Sequence, residues 1–258
     1  MKVNLCYNYP VFGDEHDFYA ARFVLSYAAF PPEYDHSTWV IINGGKLNNR
    51  MRNTIECIAG LPNVRYIEHL SNNGKDIGGY QWACNFLTGP TVFFGGPAHF
   101  KRSGWLKRLV DVWEANGPGF YGTMASYLQR PHLQTTGFMT SPEFIRKWGK
   151  PCVTTQDRYA FEWGMDAFWR RIVSWKMPAL LVTWDGEYPP ERWREPANCL
   201  WRGDQSNCLS YFRHSDTYDD ADAATRQRMT RMADGLENDR PEQVESRRKF
   251  ESSTNKTR

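Results

Sequence analysis

Apolar positions follow two alternating spacings along the first half of the chain. Lys2-Val3-Asn4-Leu5-Cys6-Tyr7 reads as a strand that ends in the loop Asn8-Tyr9-Pro10. From Asp17 to Phe30 the residues Phe18, Ala21, Phe23, Val24, Tyr27 and Ala28 recur at helical spacing, and Pro31-Pro32 stops that helix. Thr38-Trp39-Val40-Ile41-Ile42 is a continuous run, as in a strand buried on both faces, and it breaks at Asn43-Gly44-Gly45. A second helix is predicted from Asn49 to Ala59 and a third strand from Val64 to Ile67. Strands alternating with helices predict a parallel α/β sheet with right-handed crossovers. Ligands of such sheets sit beyond the carboxyl ends of the strands. The three polar loops after these strands are therefore expected to converge.

Farther along, Thr91-Val92-Phe93-Phe94 is a fourth strand that exits into Gly95-Gly96-Pro97-Ala98-His99-Phe100. Ser103 to Glu114 is an amphipathic helix, and Phe120 to Met124 is a further strand. Ser141 caps a helix that runs to Trp148, with Pro142 at its first position. A late helix is expected from about Phe161 to Trp175, followed by the strand Ala179 to Thr183. Trp184 to Phe212 is polar and rich in aromatics, without clear periodicity. Beyond Asp219 apolar content falls. A short charged helix to about Met232 is expected there, then disorder from Leu236 to Arg258. The pattern predicts one domain over residues 1–212 and a charged helical or disordered tail over 213–258.

The loop after the third strand, Asn72-Asn73-Gly74-Lys75-Asp76-Ile77-Gly78-Gly79-Tyr80, opens into a helix. Its glycines permit positive φ or close approach of another group, and helix-start amides receive negative charge such as a pyrophosphate. A plain strand-to-helix turn with Asp76 as its cap explains the same residues. The stretch lacks the Gly-Lys-Ser/Thr ending of a Walker loop. Its glycine spacing also differs from the dinucleotide fingerprint.

Composition narrows the partners. The 258 residues are 41% hydrophobic and 15% aromatic, with eleven tryptophans, enough for a large core and for pocket-lining rings. A net charge of +3 without a basic stripe argues against nucleic-acid binding. The six cysteines show no Cys-x-x-Cys spacing, and Cys6, Cys57 and Cys84 read as small buried hydrophobes. No leader-like start or membrane-length apolar run is evident, so a cytoplasmic setting without a membrane span is expected.

Three motifs carry a resemblance spanning about residues 2–212. Asn73-Gly74-Lys75-Asp76-Ile77-Gly78, Pro131-His132-Leu133-Gln134-Thr135-Thr136-Gly137-Phe138 and Phe161-Glu162-x-Gly-x-Asp166 with Arg170 occur in this order. Together they resemble GT-A-fold glycosyltransferases, nearest to the rhamnan-synthesis type and related bacterial and viral enzymes. The resemblance implies a Rossmann-like, mostly parallel sheet, a nucleotide-sugar donor and a glycan or polysaccharide acceptor. One departure concerns the cofactor. GT-A enzymes usually end the fourth strand with Asp-x-Asp, which holds a divalent Mg or Mn ion. Here that position reads Phe94-Gly95-Gly96-Pro97-Ala98-His99, so no metal ligand is assigned. Glycine amides with Lys75, Lys101 or Arg102 are the alternative support for a diphosphate.

The resemblance points to Glu162 or Asp166 as the base that takes the acceptor proton, with Glu162 preferred and His132 next. A single helix would place both carboxylates on one face. The competing readings are an Asp166–Arg170 ion pair, a helix-end charge at Glu162 and a satisfied core histidine at 132. Donor-binding candidates are Asn8, Tyr9, Asn43, Asn73, Gly74, Asp76, Gly95 and Gly96. Trp163, Trp169 and Trp184 are candidates for stacking on a sugar ring. A non-catalytic carbohydrate-binding or interaction protein on the same fold is the alternative.

Overall fold

Alternate residues of the first strand face two different cores. In a computed structural model that describes residues 1–11, 15–56, 61–71, 73–128, 130–195 and 200–236, β1 (Val3–Pro10) is buried along its whole length. Val3, Leu5, Tyr7 and Tyr9 join one apolar cluster, whereas Cys6 belongs to another. A two-residue side-chain period sends neighbours to opposite faces, so both faces of this sheet must be covered.

The covering helices follow in chain order. After α1 (Glu15–Ala29) come β2 (His36–Asn43), α2 (Asn49–Glu56), β3 (Arg65–His69), α3 (Lys75–Ala83) and β4 (Thr91–Phe94). α4 (Trp105–Asn116) precedes β5 (Phe120–Gly122), the small hairpin β6 (Ala125–Ser126) and β7 (His132–Leu133), and then β8 (Gly137–Thr140). α5 (Pro142–Trp148), α6 (Thr155–Trp163), α7 (Phe168–Ser174), β9 (Ala179–Val182) and β10 (Glu187–Tyr188) follow, with α8 (Arg213–Asp219) and α9 (Ala223–Ala233) last. The first cluster lies under α1, α2 and α4, with Phe23, Val24, Ile55, Trp105 and Leu109 among its members. The second lies under α3, α5, α6 and α7, where Ile77, Tyr80, Ile145, Phe161 and Ile172 are packed.

Among the described residues eight strands form one sheet, in the order β10-β9-β5-β8-β4-β1-β2-β3. β1, β2, β3 and β4 are mutually parallel, as the sequence pattern predicts. The third strand is Arg65–His69 rather than Val64–Ile67. β8 runs antiparallel between β4 and β5, while β5 pairs parallel with β9. Chain order reverses between β1, whose next neighbour is β2, and β4 on its other side. Such a switch point leaves a crevice at the carboxyl ends of the two strands.

Several sequence expectations change. The first strand continues through Asn8, Tyr9 and Pro10, because its pairing with β2 extends to Pro10–Asn43. The late helix is two helices: Thr154 caps α6 through a reciprocal box with Asp157, and α6 ends at Gly164. Residues 213–236 include α8 and α9, whose Tyr218, Met229 and Ala233 bury against Met124, Leu200, Trp201 and Phe212. Helices on the far side of the expected boundary at 212 thus pack back onto the sheet domain. The disorder expected from Leu236 and the burial expected for Cys57 fall almost wholly outside the described residues. Cys6 and Cys84 are buried free thiols, and burial raises the pKa of both. No described helix is long and apolar enough to cross a membrane.

Candidate active site

The third motif of the resemblance lies beside the first, on α6 and α3. Arg158 and Glu162 are one turn apart on α6, and Arg158 reaches α3 across the carboxyl end of the sheet. Its Nε lies 3.2 Å from Asp76 Oδ1, and its Nη2 donates to Glu162 Oε1 at 3.2 Å. The Nε contact lacks hydrogen-bond geometry and acts as a charge contact only. One guanidinium therefore stands between two carboxylates. Side-chain exposure is 28% for Arg158, 15% for Asp76 and 5% for Glu162. Charges this far from water need partners.

Each member has a physical reason for its state. Burial raises the pKa of Asp76, opposed by Arg158 and reinforced by Glu162. Arg158 is held more firmly protonated by Asp76, then by Glu162. Thr135 donates its hydroxyl to Glu162 Oε1. Both contacts of Glu162 fall on Oε1, so Oε2 has no hydrogen bond among the described residues. Thr135 also accepts the Tyr80 hydroxyl at its backbone carbonyl, at 3.4 Å. Tyr80 in turn stands beside Gly95 at the exit of β4, where a Cβ on Gly95 would come 3.4 Å from the phenol oxygen.

The glycines of the α3 loop serve close approach rather than positive φ. α3 begins at Lys75, so Gly78 and Gly79 are helical, and the left-handed residue is Lys75 itself, at φ 54°. A Cβ on Gly74 would sit 1.8 Å from the Cys152 carbonyl oxygen, and one on Gly78 would sit 2.8 Å from it. At Gly79 it would meet Asn8 Oδ1 at 3.0 Å and Asn43 Nδ2 at 3.1 Å. Gly74→Ala is expected to destabilise the fold by roughly 1–3 kcal/mol, since the obstacle is backbone rather than a flexible side chain. Urea unfolding measures it, and a wild-type midpoint would contradict this packing.

The donor-binding candidates divide between the two faces of the sheet. Asn8, 2% exposed, points toward α3, and its Oδ1 has no hydrogen-bond partner among the described residues. Asn43 is committed to the protein. Its Nδ2 donates to the Lys75 carbonyl at 2.8 Å, and its Oδ1 accepts from His69 Nδ1 at 2.7 Å. It thus anchors the start of α3. Tyr9 faces the opposite side, within the first core cluster, and its hydroxyl donates to Asp17. It does not stand beside Asn8. Asn73 is exposed, and Asp76 is not the N-cap of α3, although its Oδ1 accepts the first-turn amide of Ile77 at 3.2 Å. Gly95 N–H donates to the Thr136 carbonyl at 2.9 Å, which removes this amide from anion binding. Gly96 packs on Pro10, where a Cβ would come 2.7 Å from the ring.

The catalytic candidates are also separated. Asp166 lies beyond α6 in the turn after Gly164, so it does not share a helical face with Glu162. Its carboxylate is 49% exposed and pairs with Lys150 at 2.7 Å and Arg171 at 3.2 Å, which lower its pKa. Arg170, its expected partner, instead lies over the Trp169 ring at 4.5 Å. His132 is 5% exposed. Its Nδ1–H donates to the Arg130 carbonyl at 2.7 Å, leaving Nε2 as the acceptor nitrogen. Burial lowers its pKa, so the ring is neutral at pH 7. Arg158 and Thr135 were not among the sequence candidates. The Thr154-x-x-Asp157 capping box was the available signal for Arg158, because it starts α6 early enough to put Arg158 and Glu162 on one face.

A hard divalent cation does not fit the exit of β4. His99 there is 3% exposed, with Nε2 3.1 Å from Asp216 Oδ1 and 2.9 Å from Arg22 Nη2. Among the described residues no three His, Cys, Asp or Glu side chains are placed to share an ion. Two of the three expected substitute cations are also occupied. Lys101 pairs with Asp219 at 2.6 Å and Arg102 stacks on Trp184 at 4.3 Å.

No family model matches the sequence, and no curated protein matches it. Solved structures with a partial likeness include mouse xyloside xylosyltransferase 1 in its apo form. That match has a TM-score of 0.43 and 6% identity, over 69% of this chain and 82% of the mouse chain. Mannosyltransferase PcManGT from Pyrobaculum calidifontis, in complex with GDP-Man and Mn2+, matches with a TM-score of 0.43 and 12% identity. The match covers 57% of this chain and 46% of the other. HddC from Yersinia pseudotuberculosis matches with a TM-score of 0.42 and 9% identity, over 58% of this chain and 82% of its own.

Proposed function

We propose that this protein is a glycosyltransferase that moves a sugar from a nucleotide-sugar donor to a hydroxyl of a glycan acceptor. The observation that carries the reading is the Asp76–Arg158–Glu162 cluster at the carboxyl end of a parallel sheet. Sugar transfer needs a carboxylate that takes the acceptor proton as the hydroxyl attacks the anomeric carbon. Glu162 supplies it through Oε2, while Thr135 and Arg158 hold Oε1 and fix the orientation. Asp76, beside the start of α3, accepts a hydrogen bond from a donor hydroxyl. The positive end of the α3 dipole lies where the departing diphosphate gains charge. His132 Nε2 is a second proton acceptor near Glu162.

The absence of metal-binding carboxylates at the β4 exit favours a second reading, a non-catalytic glycan-binding protein on the same fold. Incubation with a panel of nucleotide sugars, with EDTA or with Mn2+, separates the two. Release of nucleoside diphosphate in EDTA, at a rate Mn2+ does not raise, is the expected result. No release from any donor under either condition would leave only the binding reading.

A further inference from the structure

The outer side of α6 carries two aromatic rings that the core does not use. Tyr159 and Trp163, one turn apart, stack with ring centroids 5.3 Å apart and planes 30° from parallel. Tyr159 is 37% exposed and Trp163 is half-buried. They form a stripe about 100° round the helix from the Arg158–Glu162 stripe, and Tyr159 lies close enough to Arg158 to act on its charge. The chain leaves the helix at Gly164, which is extended, and a Cβ there would come 2.8 Å from the Ala160 carbonyl oxygen. The turn after it presents Met165, 76% exposed, against which Arg130 Nη1 rests at 3.1 Å. Among the described residues Arg130 has no carboxylate partner, and it belongs to the strand-flanking segment that carries His132.

We infer that Tyr159 and Trp163 form the platform on which a pyranose ring of the acceptor glycan stacks. The inference rests on the proposed transferase reading and names the acceptor side of that site. Exposed aromatic faces beside polar, charged groups suit a ligand with an apolar ring face and hydroxyl edges. A sugar has both. Its C–H face covers the two rings, while its hydroxyls reach the unpaired Glu162 Oε2 on one side and the Arg130 guanidinium on the other. An apolar protein partner suits the place less well, because the rings are bordered within one turn by Arg158 and Glu162.

The test uses the full chain on an array of unmodified oligosaccharides, without any donor present. Wild type is expected to bind a subset of glycans, and Tyr159→Ala and Trp163→Ala to bind them at least about tenfold more weakly, at unchanged melting temperature. Tyr159→Phe keeps the ring and is expected to bind as wild type does. Leu25→Ala, an exposed apolar change on α1 beneath the other face of the sheet, serves as the surface control and is expected to bind normally. Wild-type binding by either alanine variant, or a wild type that binds no glycan, overturns the inference. Donor breakdown by the wild-type protein is scored separately, so loss of the transferase reading and loss of the platform are distinguishable.

Discussion

Glu162→Gln is expected to lower turnover by a factor of about 10²–10⁴ while nucleotide-sugar affinity stays near the wild-type value, the usual weight of a general base. The amide is nearly isosteric, so its carbonyl oxygen still accepts from Thr135 and Arg158 and the local fold persists. Proton acceptance and one negative charge are lost, and Arg158 keeps Asp76 as its charged partner. Asp166→Asn is expected to keep turnover, because that carboxylate is half exposed and engaged by Lys150 and Arg171 away from the cluster. Steady-state rates and calorimetric donor binding on both variants decide the matter. Loss of turnover in Asp166→Asn with a normal Glu162→Gln would move the role to Asp166. If both variants keep turnover, His132 is the next acceptor to replace.

Arg158→Met is expected to destabilise the protein by about 3 kcal/mol, the lower end of the cost of breaking a buried ion pair. The lower end applies because the Arg158 side chain keeps 28% of its surface in water. At roughly 2–4 °C per kcal/mol for a chain of this size, the melting temperature falls by about 6–12 °C. Methionine fills much of the space, so the loss measures charge rather than volume. The effect depends on pH with a definite sign. Burial already raises the pKa of Asp76, and Arg158 is the main group that opposes it. Without the guanidinium the folded-state pKa rises further above the unfolded value. The folded protein then binds more protons than the unfolded chain, so stability falls as pH rises through that folded pKa. The deficit of Arg158→Met should be small near pH 4 and large near pH 7–8, as melting curves across this range would show. A deficit independent of pH would mean that Arg158 acts by packing alone.

The sheet was legible because its strands carry their own signal. Thr38 to Ile42 and Thr91 to Phe94 are continuous apolar runs, and each needs only its own composition to be recognised. β8 was not legible. Gly137-Phe138-Met139-Thr140 is four residues long, follows the polar run Gln134-Thr135-Thr136, and becomes a strand by lying between β4 and β5. Phe138 then stacks on Phe93 at 5.2 Å, a contact between residues far apart in the chain. Tyr9 shows the same limit from the other side. Reading it as a loop residue placed it beside Asn8, whereas one more residue of strand turns it to the opposite face.

By itself the sequence determined the order of strands and helices as far as β4 and the parallel first half of the sheet. Those follow from periodicity and from chain chirality, both of which are local. It also marked Asp76 and Glu162 through their motifs. Only the tertiary structure decided what these carboxylates face. Asp76 and Glu162 lie on different helices, and the Arg158 guanidinium joins them only because α6 packs beside the start of α3. Packing of α3 on its neighbours likewise explains the glycines, whose missing Cβ atoms admit the Cys152 carbonyl and the Asn8 and Asn43 side chains of β1 and β2. A charge's partner and a glycine's neighbour are set by surfaces that meet through space. Neither is encoded in the residues beside them along the chain.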